Sequence, residues 1–288
     1  MTIPRVPPRI LAIAGSDSGG GAGIQADIKT ITMLGGYAMT AITALTAQDT
    51  TGVHMVEAVS PAMVAAQIDA CVGDLGVDAV KIGMLGSPAI AAVVAERLER
   101  LSVPIVFDPV MIATSGASLA DADTIAAFER LMRLAAVVTP NTQELEVLAG
   151  GAITNETEQS HAAQIVMESI PCPAVLAKGG HLILNGETYG KTVDGVPYRY
   201  SNATRVFDFL FECGADGVRE IAWDSERIET RHTHGTGCTL SSAIATHLAR
   251  GLSLADAVAE GRQFVRAALL AAPGFGAGNG PLGHFAVR

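Results

Sequence analysis

Arg9-Ile10-Leu11-Ala12-Ile13-Ala14, then Gly15-Ser16-Asp17-Ser18-Gly19-Gly20-Gly21-Ala22-Gly23, then Ile24-Gln25-Ala26-Asp27-Ile28-Lys29-Thr30-Ile31 decide the fold class. The first run is short, apolar and closed by glycine, the pattern of a buried strand. The second is rich in glycine and suits a turn. From Ala22 to Leu34, Ile24, Ile28 and Ile31 recur at i, i+4 and i+7, one face of a helix, and Gly35-Gly36 ends it. Ala38–Ala47, rich in Thr, Ile and Leu, returns to strand. Strand, glycine loop, helix and strand make one βαβ unit with parallel strands.

The alternation continues outward from this unit. Helices are predicted over Ser60–Leu75, Ser87–Leu101, Asp121–Leu134, Thr142–Ala149, Gln159–Ser169, Thr236–Ala249 and Leu254–Ala271. Ser60-Pro61 is an N-cap followed by proline at the first helical position. Strands are predicted over Val77–Met84, Pro104–Asp108, Ala136–Thr139 and Ala174–Lys178. The chain therefore reads as a single α/β domain over residues 1–288, three layers deep, with a mainly parallel sheet and helices on both faces. Residues 183–233 break the rhythm with short alternating runs, which predicts hairpins. Within them Asn185-Gly186 and Asp194-Gly195 are turn dipeptides, and 183–205 reads as a small hairpin turning at Asp194-Gly195. In such sheets ligands sit beyond the C-terminal strand ends, in the loops before the helices.

Composition removes several function classes. Acidic residues outnumber basic ones by 29 to 19, for a net charge of −10. That surface repels nucleic acid and anionic membrane, so neither is expected as a partner. Mean hydropathy is +0.35, much of it carried by Ala and Gly. No apolar stretch reaches the length of a membrane-spanning helix, and the run Ile10–Gly15 is too short for a secretory signal. Cys71, Cys172, Cys213 and Cys238 show neither a CxxC nor a zinc-like spacing. A cytoplasmic protein with reduced thiols is the expectation.

Four segments carry polar chemistry at predicted strand ends. The Gly15–Gly23 loop brings glycine backbone and free N–H groups to a helix start, where an anion is welcome. A dinucleotide-binding reading fits it poorly, because the third glycine of that pattern is out of register. His234-Gly235-Thr236-Gly237-Cys238-Thr239 opens another helix. Gly235, Thr236 and Gly237 there can hold phosphoryl oxygens, and Cys238 lies in the first turn, where a thiol ionises more easily and can take a hydroxyl proton. Asn141 and Glu144 stand three apart, which suits either a hydrated Mg²⁺ or an ordinary capping box. Lys178-Gly179-Gly180-His181 offers a cation for phosphate, or a charged turn. No Walker A pattern occurs.

Taken together these segments resemble the hydroxymethylpyrimidine/phosphomethylpyrimidine kinases of the ribokinase-like superfamily, from Ile10 to about Phe285. The resemblance also rests on Thr43-Ala44-Leu45-Thr46-Ala47-Gln48-Asp49-Thr50, Lys81-Ile82-Gly83-Met84-Leu85 and Asp108-Pro109-Val110-Met111. It implies two successive ATP-dependent phosphorylations, first of 4-amino-5-hydroxymethyl-2-methylpyrimidine and then of its monophosphate. It implies that Gly15, Asp27, Gln48 and Met84 surround the pyrimidine. Cys238 would be the base, where many superfamily members carry Asp, and Asp108, Asn141 and Glu144 would manage Mg²⁺ and phosphates beside Lys178. A homodimer is also implied. The residue chemistry agrees at Gln48, since a carboxamide offers a donor and an acceptor to an aminopyrimidine edge that presents the complement. The segment 183–205 looks inserted relative to the family. Three rival readings are a pyridoxal kinase of the same fold, a ligand sensor that has lost catalysis, and a dinucleotide-dependent oxidoreductase.

Overall fold

In the computed structural model the described residues are 6–111, 121–180, 188–193, 196–201, 204–214 and 216–287. Nine strands form one sheet: β1 (Arg9–Asp17), β2 (Tyr37–Gln48), β3 (Val53–Ala58), β4 (Ala79–Ile82), β5 (Ile105–Phe107), β6 (Val137–Val138), β7 (Ala174–Ala177), β10 (Arg205–Gly214) and β11 (Gly217–Glu226). Their spatial order is β11-β10-β7-β6-β5-β4-β1-β2-β3. The six from β7 to β2 in that order run parallel, and antiparallel strands close both edges. Two more strands, β8 (Thr188–Val193) and β9 (Val196–Ser201), make a separate antiparallel hairpin. It answers to the expected insert, whose turn Asp194-Gly195 lies outside the described residues.

Side chains of the central strands alternate between two cores, as period-2 geometry requires. Leu11, Ile13, Ile82, Phe107, Val138, Val175, Phe209 and Phe211 face one side. Helices α2 (Pro61–Ala70), α3 (Pro88–Leu98), α4 (Ala122–Leu134), α5 (Thr142–Ala149) and α6 (Glu156–Ser169) cover them. Phe107 meets Phe128 of α4 edge to face at 5.1 Å. Ile10, Ala79, Val106, Val137, Leu176 and Leu210 face the other side, under α1 (Gly23–Met33), α7 (Thr236–Ala249) and α8 (Leu254–Leu270). Six N-caps fall on Ser60, Ser87, Asp121, Asn141, Asn155 and Ser253, each accepting a hydrogen bond from the third helical residue.

Two expectations are corrected. The helix expected to reach Leu75 is α-helical only to Ala70 and ends in a π turn over Cys71–Leu75, released by Gly76 at φ +73°. The strand β3 was not expected: it is the exposed edge of the sheet, with Met55 at 67% and Val56 at 49% exposure, so it carries no apolar alternation.

Buried His284 closes the C-terminal end against α7, its Nε2 2.9 Å from Thr239 Oγ1. Burial, with the charge of Lys29, pushes its pKa down to about 4. Between pH 6.5 and about 4 the unfolded chain therefore binds a proton that the folded chain does not, and stability falls as the pH falls. The expected loss over that window is up to roughly 3 kcal/mol. Urea midpoints measured across it should fall less steeply for His284→Asn than for the parent chain. Equal slopes would show that His284 titrates normally in the folded protein.

Candidate active site

A cleft of about 630 Å³ runs across the C-terminal ends of the parallel strands. Of the residues singled out from the sequence, Gly15, Gln48, Met84, Asp108, Asn141, Glu144, Lys178 and Gly235 through Cys238 all line it. Asp27 does not.

The two glycine loops form one wall by packing on each other. Asp17, at the end of β1, accepts hydrogen bonds from Gly19 N at 2.8 Å, Gly21 N at 2.9 Å and Ala22 N at 2.8 Å, and from His234 Nε2 at 2.9 Å. Burial works against its charge, but His234 and the amides outweigh this and hold its pKa below the usual carboxylate value. Those loop amides are therefore spent on Asp17, not left open for a ligand anion as the loop's composition suggests. Gly21 has no Cβ because one would overlap the His234 ring. Gly235, at φ +90°, lies against the Gly21 carbonyl, where any side chain would collide.

Gly235, at the N-cap, also leaves the start of α7 uncapped by any side chain. Thr239 N reaches Gly235 O, but Gly237 N and Cys238 N have no backbone acceptor among the described residues. Both amides lie at the positive end of a 14-residue helix. Opposite them Lys178 Nζ meets Asp108 Oδ1 at 2.7 Å, and Thr139 Oγ1 donates to the same oxygen at 3.0 Å. A Cβ on Gly237 would come within 3.3 Å of both charged groups, so glycine lets the ion pair approach the helix start. Burial opposes the Lys178 charge, yet Asp108 and Glu144 raise its pKa.

Asn141 and Glu144 form the capping box: Glu144 N donates to Asn141 Oδ1 at 2.9 Å, and Asn141 N donates to Glu144 Oε2 at 2.7 Å. Both still line the cleft. Burial, reinforced by Asp108 and opposed by Lys178, lifts Glu144 to about 7. Cys238 also differs from the sequence expectation. Burial pushes its thiol up to about 11, with Asp27 and Asp108 adding to the rise, and Lys81 and the Gly23 amide opposing it.

Gly15, Met84 and Gln48 line another part of the cleft. The Met84 methyl occupies the space a Gly15 side chain would take. Gln48 stands at the end of β2, beside Thr46 and His234. Asp27 is fully buried behind this wall, paired with Lys81 at 2.9 Å and accepting from Ser242 Oγ at 2.8 Å. The expectation that Asp27 helps surround the pyrimidine is corrected here: it does not line the cleft, and its carboxylate is occupied by those two partners.

Sequence reasoning missed the far end of the cleft. Asp208, inside β10, accepts from Gly179 N at 2.9 Å and from Arg262 Nε at 2.7 Å, and Arg262 lies over Trp223 at 5.8 Å. This joins the Lys178 strand end to α8, beside apolar Val206, Ile228 and Leu269. The signal was Asp208 as the lone charge among the apolar residues Val206–Phe211, with Arg262 and Arg266 four apart on α8.

Comparison with known proteins gives the family. A family model described as phosphomethylpyrimidine kinase matches residues 17–283. The hydroxymethylpyrimidine/phosphomethylpyrimidine kinase of Rhizobium meliloti (strain 1021) is 46% identical over 279 residues, 96% of each chain. The phosphomethylpyrimidine kinase structure from Clostridium difficile 630 superposes with a TM-score of 0.72 at 34% identity, over 90% of this chain and 98% of that one. A Bacillus subtilis pyridoxal kinase solved as an ADP complex gives 0.81 at 30% identity, over 98% and 99%. With a family model matched over residues 17–283 and a relative 46% identical over nearly its whole length, the chain belongs to the phosphomethylpyrimidine kinase family.

Proposed function

We infer that the protein is an ATP-dependent kinase that phosphorylates 4-amino-5-hydroxymethyl-2-methylpyrimidine and then its monophosphate, giving the pyrophosphate used in thiamine biosynthesis. The observation that carries this is the meeting of Gln48, Cys238 and the open amides of Gly237 and Cys238 in one cleft. Gln48, Gly15 and Met84 hold the ring at one end. The Gly235–Cys238 helix start receives the phosphoryl oxygens as charge moves onto them, and Lys178 neutralises a further oxygen. Cys238 takes the hydroxymethyl proton. The apolar and arginine-bearing far end holds the rest of the nucleotide.

The donor set fits a Mg²⁺ ion shared with phosphate. Asp108 and Glu144 repel one another, which is part of why Glu144 rises to about 7, and a divalent cation held by them would relieve that repulsion. No group of three or more His, Cys, Asp or Glu side chains among the described residues is arranged to hold a metal. Phosphate oxygens and water would complete the shell, as is usual for Mg²⁺. When bound, the ion offsets charge on the transferring group. No helix among the described residues is long and apolar enough to cross a membrane. A cytoplasmic homodimer accords with the resemblance.

The test is product analysis with the pyrimidine alcohol, ATP and Mg²⁺. Monophosphate followed by pyrophosphate is expected. Monophosphate alone would limit the activity to the first step. No ADP release would overturn the reading and leave a binding protein. Pyridoxal as a parallel substrate tests the rival kinase reading, for which the Bacillus subtilis structure is the precedent.

A further inference from the structure

Two contacts of Gln48 conflict if its carboxamide stands with Nε2 toward His234 and Oε1 toward Thr46. Asp17 is an ionised acceptor already held by three backbone amides, so His234 Nε2, 2.9 Å away, must carry a proton. Gln48 Nε2 lies 3.4 Å from that same nitrogen, which sets donor against donor. On the other side, Thr46 Oγ1 lies 2.9 Å from Ser16 O and 3.3 Å from Gln48 Oε1. Its single proton goes to the closer carbonyl, which can only accept. That leaves a hydroxyl lone pair facing an amide oxygen. A half-turn of the carboxamide removes both clashes and moves no other atom.

We propose that His234, clamped by Asp17, is a specificity-determining positioning residue that fixes the Gln48 carboxamide with its oxygen toward His234 and its nitrogen toward Thr46. The proposal rests on the pyrimidine-kinase reading above. Locked in this way, Gln48 shows the cleft one acceptor and one donor in a set order. A 4-aminopyrimidine edge presents an amino donor beside a ring-nitrogen acceptor and matches that order. A 4-oxopyrimidine edge presents an acceptor beside a ring N–H and meets like with like on both bonds. An unlocked carboxamide could turn over and read either edge. The surrounding sequence is built for the lock. Gly21 makes room for the His234 ring, Gly235 lets its loop reach Gly21, and Ser18 fixes the Gln48 backbone through bonds to Gln48 N and O, both 2.8 Å.

The experiment compares kcat/KM for 4-amino-5-hydroxymethyl-2-methylpyrimidine and its 4-oxo counterpart. The parent chain is expected to favour the amino compound by more than about 100-fold, since two mismatched polar contacts are at stake. His234→Leu should lower that ratio at least about tenfold, chiefly by gain on the oxo compound, because the lock and not the contact is lost. His234→Gln, which can return an N–H to the same place, should restore the ratio. Thr46→Val unlocks the other end and should also lower it, which keeps the idea testable if His234→Leu does not fold. A purely structural role would depress both substrates together and leave the ratio unchanged, and that result would overturn the proposal. If the parent chain turns over neither compound, the pyrimidine-kinase reading fails instead.

Discussion

Cys238→Ala is expected to lower kcat by about 10²–10⁴-fold, the usual cost of removing a general base, while pyrimidine binding survives. Cys238 sits in the first turn of α7, beside the open Gly237 and Cys238 amides and across from Lys178 and Asp108. A thiol at a helix start reads from sequence as one that ionises readily. Burial reverses this: with Asp27 and Asp108 adding to it, the thiol is pushed up to about 11, and Lys81 and the Gly23 amide only moderate the rise. At neutral pH the group is therefore a thiol, and a rate that needs the thiolate must climb with pH. The slope should approach about tenfold per pH unit where chemistry limits turnover. Rates measured between pH 6.5 and 9 should climb for the parent chain and stay flat for Cys238→Ala. Cys238→Asp, the residue many superfamily members carry there, should recover part of the activity and move the climb to lower pH. Near-normal turnover by Cys238→Ala would place the base elsewhere and leave the helix-start amides to carry the step alone.

The parts of the fold that sequence reveals are those whose causes are local. Thr142–Ala149 and Thr236–Ala249 have the bounds that their caps predict, because a capping box and a Gly-Thr-Gly start are written in adjacent residues. Strand lengths are different. Val77–Met84 is mostly apolar, broken only by Asp78 and Lys81, yet only Ala79–Ile82 is strand, since pairing with β1 and β5 spans only these residues. That length is set by neighbours far along the chain. The site divides in the same way. Gln48, Cys238 and Lys178 were legible as polar residues at strand ends or helix starts. The use of the glycine-loop amides by Asp17 was not, because His234, which shares that carboxylate, lies 217 residues away. Asp208 and Arg262 were missed for the same reason, being 54 residues apart. Asp27 shows how a correct observation can lead to the wrong partner. A lone acid on an apolar helix face does point inward, but what it meets there is Lys81.

Lys81→Met is expected to destabilise the protein by about 3–5 kcal/mol, the usual cost of removing one member of a buried ion pair. For a chain of this size that is a fall in Tm of roughly 10 °C. Lys81 and Asp27 are both fully buried, 2.9 Å apart, and the only other side chain bonded to Asp27 among the described residues is Ser242. Burial acts against the lysine's charge, but Asp27, Cys238 and Asp108 outweigh it and raise its pKa. Without Lys81 the Asp27 carboxylate stays buried with one hydroxyl bonded to it and the like charge of Asp108 acting on it. Asp27→Asn should cost a similar amount by stranding the ammonium. The double variant should cost clearly less than the two single losses together, because neither charge is then left alone. Urea unfolding of all three decides the matter. Strictly additive losses, or a Lys81→Met loss under about 1 kcal/mol, would show that the pair does not hold this part of the core. The same variants separate the two readings of Asp27. A carboxylate that touched the pyrimidine would make Asp27→Asn raise KM with stability intact. A carboxylate that belongs to Lys81 makes Asp27→Asn lose stability, and part of that loss returns when Lys81 is removed as well.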